Sequence, residues 1–394
     1  MTAAVAALRP TVARIDLRAL RDNARLARRL AGTRDVIAVV KADAYGHGAV
    51  SVARALERDG ITRFGVALVE EGRALRDAGV RGEVIVLGGF TADQASDVAE
   101  AGLSAAVFHL DHAAALDEAA RRAGRVVPVH LKVDTGMGRL GFPVADAVPA
   151  LSRLGERSGL RLEGLMTHFA DADLADPVYA REQIERFDAV ADAARRVGMR
   201  VPMRHAANSA ALIKGPRGLA MPTTRASDGP LYEAVRPGIM LYGCRPGPDV
   251  GGVELRPVLA LTTKVTLLKR VPAKTPISYG RTFVTRRESL IAVLPIGYAD
   301  GYPRALSNRG LVLVRGRRAP VVGRVCMDLT MIDVTEVPDV TEGDDVVLIG
   351  AQREASLSAE EVGEAAGTIA YELLCGIGPR VPRRYVGEAD EAAS

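Results

Sequence analysis

The chain has 394 residues, 48% hydrophobic and 25% charged, with a formal net charge of +4. That length allows more than one core. The absence of a basic block argues against nucleic acid, and no apolar window reaches the length of a membrane span. Met1 to Pro10 lacks the basic and long apolar regions of a secretory leader, so the expected location is cytoplasmic, without a membrane partner. Cys244, Cys326 and Cys375 are odd in number and lack metal-ligand spacing, which fits reduced thiols better than a disulfide framework or a metal site.

TVARIDL (11–17) reads as a lone opening strand. From about residue 36, short apolar runs alternate with longer amphipathic ones. The runs are DVIAVVK (35–41), FGVALV (64–69), EVIVLGG (83–89), SAAVF (104–108), VPVHLKVD (127–134), LEGLMTHF (162–169), PMRHAANS (202–209) and EAVRPGIMLYG (233–243). Stretches such as AVSVARALERDG, LDHAAALDEAARRAG and YAREQIERFDAVADAARRVG lie between them and end in Gly, the usual helix stop. Apolar strands alternating with helices pair in parallel with both faces covered, and eight such units predict a (β/α)8 TIM barrel over 11–245. After the linker-like PGPDVGG the texture changes to strand-like runs, among them LTTKVTLLKRV, ESLIAVLPI, GLVLVRG, APVVGRV, LTMIDVTEV and DDVVLIG. These predict a mostly β C-terminal domain over 246–386, with one helix at 359–377, a final strand RVPRRYV and a tail at 387–394. The opening strand 11–17 is a candidate to pair with that distant domain.

Chemistry in a (β/α)8 barrel sits where strands end and their loops begin. Those positions are polar here: Lys41 ends the first run, Arg139 follows the fifth, His168 stands at the end of the sixth, Asn208 and Ser209 end the seventh, and Arg236 and Gly238 lie in the eighth. Lys41 closes an aliphatic run. A lysine amine partly desolvated in a barrel mouth loses its proton more easily and can form a Schiff base with an aldehyde. Ser209 and the backbone at Gly238 suit a cofactor phosphate.

KADAYGHG (41–48) resembles the lysine motif of bacterial alanine racemases, which bind pyridoxal 5′-phosphate (PLP). HLKVDTGMGRLG (130–141), THFA (167–170), HAANSAA (205–211), VRPGIMLYG (235–243), SYGRTF (278–283), LPIGYADGYPR (294–304), GRVCMD (323–328) and IAYELL (369–374) resemble further blocks of that family, in its order, from about residue 10 to 386. The segment 214–234 departs from the family pattern by its length.

The resemblance implies a PLP enzyme that interconverts L- and D-alanine and supplies D-alanine for peptidoglycan. Lys41 would hold PLP and act as base on one face of the substrate, with Tyr279 as the base on the other. His168 and Arg236 would give polar support, Arg236 at the pyridine nitrogen with His205 behind it. A cation there disfavours protonation of that nitrogen, weakens the ring as an electron sink and limits side reactions such as transamination. Tyr45, Asn208, Ser209, Gly238, Ile239 and Tyr371 would surround the cofactor, most of them at its phosphate. Arg139 would lie near the phenolic oxygen and the substrate carboxylate, which Met327 of a partner chain would also touch. The implied assembly is a homodimer with shared sites.

In HLKVD, side chains alternate, so His130, Lys132 and Asp134 share one face. A bare Lys132 ammonium beside Arg139 would be repelled. The resemblance implies that carbon dioxide converts Lys132 to a carbamate, the alternative being a pair with Asp134. Three other readings stand beside this one. A racemase for other or more amino acids differs in the pocket near Tyr298, Cys326 and Met327. A decarboxylase of the same plan would carry GGG and EPGR-like blocks, and neither string occurs. A non-catalytic PLP carrier of the single-barrel type would lack residues 246–394 and Tyr279.

Overall fold

The computed structural model describes residues 9–219 and 231–387. Most of the long segment 214–234, and nearly all of the tail, lie outside the described residues. The chain forms two compact units, one of residues 21–44 and 49–255, the other of 1–20, 45–48 and 256–394.

The first unit is a closed barrel. Its strands are β2 (Asp35–Val39), β3 (Arg63–Val66), β4 (Glu83–Val86), β5 (Ser104–Val107), β6 (Val127–Asp134), β8 (Leu160–Met166), β9 (Met203–His205) and β10 (Ala234–Val235); the short β7 (Phe142–Pro143) flanks β6. Every neighbouring pair is parallel, and β5 with β6 and β10 with β2 complete the ring. All eight apolar runs become barrel strands, as their pattern predicts. Ile37, Ile85, Met203 and Ala234 cluster in one buried group, the apolar side chains of a filled barrel. Helices Ala49–Arg58, Leu110–Arg122 and Val178–Arg196 correspond to the amphipathic stretches. Gly124 and Gly198 follow two of them at φ 63° and 77°, a left-handed conformation that stops a helix at little cost for glycine alone.

In the second unit β1 (Val12–Asp16) lies between β11 (Leu259–Lys264), antiparallel, and β21 (Arg383–Val386), parallel. The sheet continues from β11 through β19 (Asp345–Gln352) and β16 (Leu311–Val314) to β17 (Arg317–Pro320), and β20 (Ala355–Leu357) also pairs with β19. A second sheet orders β12 (Leu267–Val271), β15 (Ser289–Leu294) and β18 (Thr330–Asp333), and β13 (Pro276–Ile277) pairs with β14 (Phe283–Val284). Ile277, Ile291, Val293, Val322 and Met331 form a core against which Cys326 packs.

Two predicted elements are divided. LTTKVTLLKRV is two strands in two sheets, because Val265 and Thr266 turn to bond Asp344 and Val293. The helix expected at 359–377 is two, Ala359–Ala366 and Ala370–Cys375. Gly367 at φ 76° ends the first, with its N–H on Glu364 and that of Thr368 on Gly363. Among the described residues no helix is long and apolar enough to cross a membrane.

Candidate functional site

The polar residues expected at strand ends stand one to five positions beyond them, Arg236 nearest and Arg139 farthest. Lys41 follows β2 and is half-buried. It opens a single helical turn, Lys41–Gly46, in which Ala42, Asp43, Ala44 and Tyr45 have φ of 53°, 51°, 54° and 54°. The turn is left-handed, a conformation that costs L-residues roughly 1–2 kcal/mol each. Such strain persists only where surrounding contacts determine it. The Glu71 carboxylate accepts the N–H of Ala42 at 2.6 Å, and of Ala67 and Leu68. Asp43 accepts the N–H of Ala49 at 2.7 Å. Just upstream, the Tyr242 hydroxyl donates to the Val39 carbonyl at 2.9 Å.

Arg236 is buried at 3% exposure. Its Nη1 donates to His205 Nδ1 at 2.6 Å and to the His205 carbonyl at 2.7 Å. Its Nη2 faces the carbonyls of Thr167 (2.6 Å) and Ala206 (2.9 Å) and His168 Nδ1 (3.2 Å). Nothing among the described residues accepts its Nε–H. Burial lowers Arg236 to about 9, so it stays cationic at neutral pH. Arginine only donates, so both histidines must offer Nδ1 as an unprotonated acceptor. His168 is accordingly held well below the usual imidazole range, by burial first and then by Arg236, Arg139, Lys132 and Lys41. Gln183, fully buried, donates to the His168 carbonyl at 3.1 Å.

Lys132 projects inward from β6 at 5% exposure. Burial lowers its ammonium to about 8, helped by the charges of Arg236, Arg139 and Lys41 and opposed only by Asp134. Asp134 is occupied elsewhere, accepting the N–H groups of Gly136, Met137 and Gly138 at 2.9, 2.9 and 3.1 Å. Arg139 is exposed and makes no side-chain hydrogen bond among the described residues. Four cationic side chains thus act on one region, with a single carboxylate that is already bound to backbone. An anionic ligand suits such a place.

Ser209 Oγ accepts the N–H of Gly238 at 2.9 Å and approaches that of Met240 at 3.4 Å. Its hydroxyl hydrogen remains available to donate. Ile239 opens the turn Ile239–Tyr242, where first N–H groups lack internal partners. Asn208 caps the helix that begins at Ser209, its carboxamide oxygen accepting the Ala211 N–H at 3.0 Å. Only its amide hydrogens are left for a ligand. These groups fit a phosphate, and the Nε–H of Arg236 fits an unprotonated ring nitrogen. PLP carries both.

The remaining predicted residues belong to the second unit. Tyr45 is buried, its ring 6.0 Å from that of Tyr371 and tilted 53°. Its phenol is pushed up by burial first and by Cys375 second. Tyr279 is 71% exposed and Met327 53% exposed. Tyr279 sits in a turn whose Ser278, Gly280 and Arg281 have φ of 65°, 70° and 51°. Ser278 Oγ donates to the Arg324 carbonyl at 2.7 Å and meets Cys326 Sγ at 3.4 Å. Tyr298 is tied beside them by its N–H to the Cys326 carbonyl at 3.0 Å. A Cβ at Gly297 would fall 2.3 Å from the carbonyl oxygens of Cys326 and Met327, so only glycine lets these segments meet. Tyr279, Tyr298, Cys326 and Met327 therefore form one patch.

Sequence reading missed Glu71, Gln183, Tyr242 and Glu83. Gln183, Tyr242 and Glu83 are ordinary-looking residues that gain partners only in the closed barrel, and Glu71 looks like a local cap for Ala67 and Leu68 until the fold brings it to Ala42.

The chain's 15–246 match the family profile "Alanine racemase, N-terminal domain", and 258–385 match "Alanine racemase, C-terminal domain". It is 47% identical over 380 residues to an alanine racemase of Halothermothrix orenii, covering 96% of this chain and 97% of that one. Among solved structures, an alanine racemase of Clostridium difficile 630 superposes with TM-score 0.90 at 36% identity, covering 96% of each chain. One from Bacillus anthracis with bound L-Ala-P gives 0.87 at 35%, covering 97% of this chain and 96% of that one.

Proposed function

The chain belongs to the alanine racemase family and is an isomerase acting on amino acids, and from that premise we propose that it interconverts L- and D-alanine by a two-base mechanism with PLP held on Lys41. The observation that carries this reading is Lys41 just beyond a barrel strand, its charge acting with those of Arg139 and Arg236 on Lys132 and His168. PLP supplies the electron sink that stabilises the charge left when an α-proton departs. The protein residues supply position and proton transfer.

Lys41 Nζ exchanges the α-proton on one face and Tyr279 Oη on the other, because inversion requires removal on one side and return on the opposite side. Arg139 binds the substrate carboxylate, and Met327 touches it. Arg236 would offer an N–H and a positive charge to the ring nitrogen, with His168 and His205 holding Arg236, and Ser209, Gly238, Ile239, Asn208, Tyr45 and Tyr371 would hold the cofactor. Lys132 is carbamylated: carbon dioxide reacts with neutral amines, and an ammonium lowered to about 8 is neutral in a usable fraction near pH 7. The resulting anion pairs with Arg139.

The exposed Tyr279 patch supports a homodimer in which each site takes Lys41 from one chain and Tyr279 from the other. Within residues 11–245 the barrel strands carry the cofactor site, the opening strand 11–17 pairing instead in the sheet of the second unit, and 246–386 include the strands around the second base. The product serves peptidoglycan in the cytoplasm. The deciding experiment incubates purified, PLP-loaded protein with a panel of L-amino acids and measures each D-enantiomer by chiral chromatography. Alanine should turn over fastest; no D-alanine, or faster inversion of another amino acid, would contradict the reading.

A further inference from the structure

Behind Arg236 a line of side chains continues through the barrel to its opposite end. His205 Nε2 lies 2.9 Å from His130 Nδ1, both rings fully buried and nearly perpendicular. His130 Nε2 has no hydrogen-bond partner and faces Glu83 Oε1 at 3.8 Å. Glu83 is the first residue of β4. It accepts from Ser104 Oγ at 2.7 Å and from Arg63 Nε at 2.9 Å.

The proton positions along this line can be counted. Arg236 can only donate, so His205 Nδ1 is bare and its single proton is on Nε2. That proton is donated to His130 Nδ1, so the His130 proton is also on Nε2, toward Glu83. A cationic His130 would present an N–H to His205, and His205 would then have to carry no proton at all. The line therefore has one polarity, from a guanidinium at one end to a carboxylate at the other. Although burial alone would raise Glu83, the nearby His130 and the hydrogen bonds from Ser104 and Arg63 hold it below the usual carboxylate range, so the anion is present at neutral pH.

The barrel makes room for this line. The β6–β8 register shifts between Val129 and His130. Opposite it, a Cβ at Gly164 would lie 2.3 Å from His130 Nδ1. A bulge and a strand glycine at the same place mark a side chain that has been re-aimed.

We infer that Glu83 and His130 are positioning residues: they fix His205 in the Nε2–H form and thereby hold the buried Arg236 guanidinium in one orientation toward the cofactor. This rests on the reading above only for what Arg236 serves; the tautomers themselves do not depend on it. Without the anion and the His130 acceptor, His205 can place its proton on Nδ1, where it opposes Arg236.

The test uses nitrogen NMR of the full-length, cofactor-free enzyme labelled in histidine, at neutral pH. His205 and His130 should each show a bare Nδ1 and a protonated Nε2. Glu83→Gln and His130→Leu should each give His205 a second tautomer. His130→Asn, whose carboxamide oxygen can replace Nδ1 as acceptor, should keep His205 in one form. In PLP-loaded enzyme the first two variants should lose about tenfold in kcat with KM for alanine little changed, and His130→Asn should recover much of it. A protonated His205 Nδ1 in the wild type would overturn the inference, whether or not the variants fold. So would a loss of kcat with the His205 tautomer unaltered. Correct tautomers in a protein that racemises nothing would leave the relay standing and contradict only the proposed function.

Discussion

The barrel end that carries Lys41 and the face of the second unit that carries Tyr279 are built in opposite ways. Around Lys41 the supporting groups are buried and engaged: Arg236, His168, His205 and Gln183 bond one another, and Glu71 secures the left-handed turn. Around Tyr279 the backbone is equally specialised, with Ser278 and Arg281 at positive φ, but the side chains it presents are bare. A strained turn held by Ser278 on Arg324 and by Gly297 under Cys326 is an elaborate way to expose a tyrosine and a methionine. One region is thus closed by its own side chains, whereas the other leaves its side chains exposed, as the proposed shared site requires.

The contrast can be sharpened by substitution. Lys41→Ala should remove the absorbance of the lysine-linked cofactor and reduce racemisation about a thousandfold or more. A visible spectrum unaltered by the change would take Lys41 out of its role. Tyr279→Phe should lower kcat about a hundredfold or more in both directions. Exchange of the α-hydrogen with deuterated water should survive better from the enantiomer served by Lys41. Equal loss from both enantiomers would break the assignment of one base to each face.

Smaller effects probe how each region is held. Glu71→Ala leaves the N–H groups of Ala42, Ala67 and Leu68 without their acceptor and should destabilise the fold by about 1–3 kcal/mol, read from denaturant midpoints. An unchanged midpoint would mean that the left-handed turn is secured by other contacts. A further effect, read as a pH dependence, concerns Lys132. An amine lowered from 10.5 to about 8 on folding penalises the folded state at neutral pH, and the penalty lifts as pH rises through that interval. Protein stripped of bicarbonate should therefore gain stability between about pH 8 and about pH 10.5. Carbamylated protein has no such ammonium and should show no such gain. Identical profiles with and without bicarbonate would contradict the modification, as would an intact mass without the added carbon dioxide.

Much of this was legible in the sequence because barrels put chemistry at a predictable place. Eight apolar runs located the strand ends, and five of those ends carry the polar side chains Lys41, Arg139, His168, Ser209 and Arg236. The inward face of HLKVD was equally legible from alternation. Glu83 was not, because it begins an apolar run at the end of the barrel away from the loops, and nothing local joins it to His130. Glu71 looked like an ordinary acidic residue in the first turn of a helix. Gly367 was visible, yet a glycine inside a helical pattern is often tolerated, and only its positive φ shows that the helix ends there. In LTTKVTLLKRV, continuous β-forming residues hid a change of sheet at Val265.

The central claim, that a barrel complete in one chain meets a patch supplied by another, has a direct test in mixed dimers. A Lys41→Ala chain and a Tyr279→Ala chain, each with its own affinity tag, are co-expressed, and the heterodimer is purified through both tags. If sites are shared, one site carries both defects and the other carries neither, so activity should return to about half that of wild type while both parental homodimers stay nearly inactive. If each site lies within one chain, every site lacks a base. A heterodimer as inactive as its parents would contradict the account.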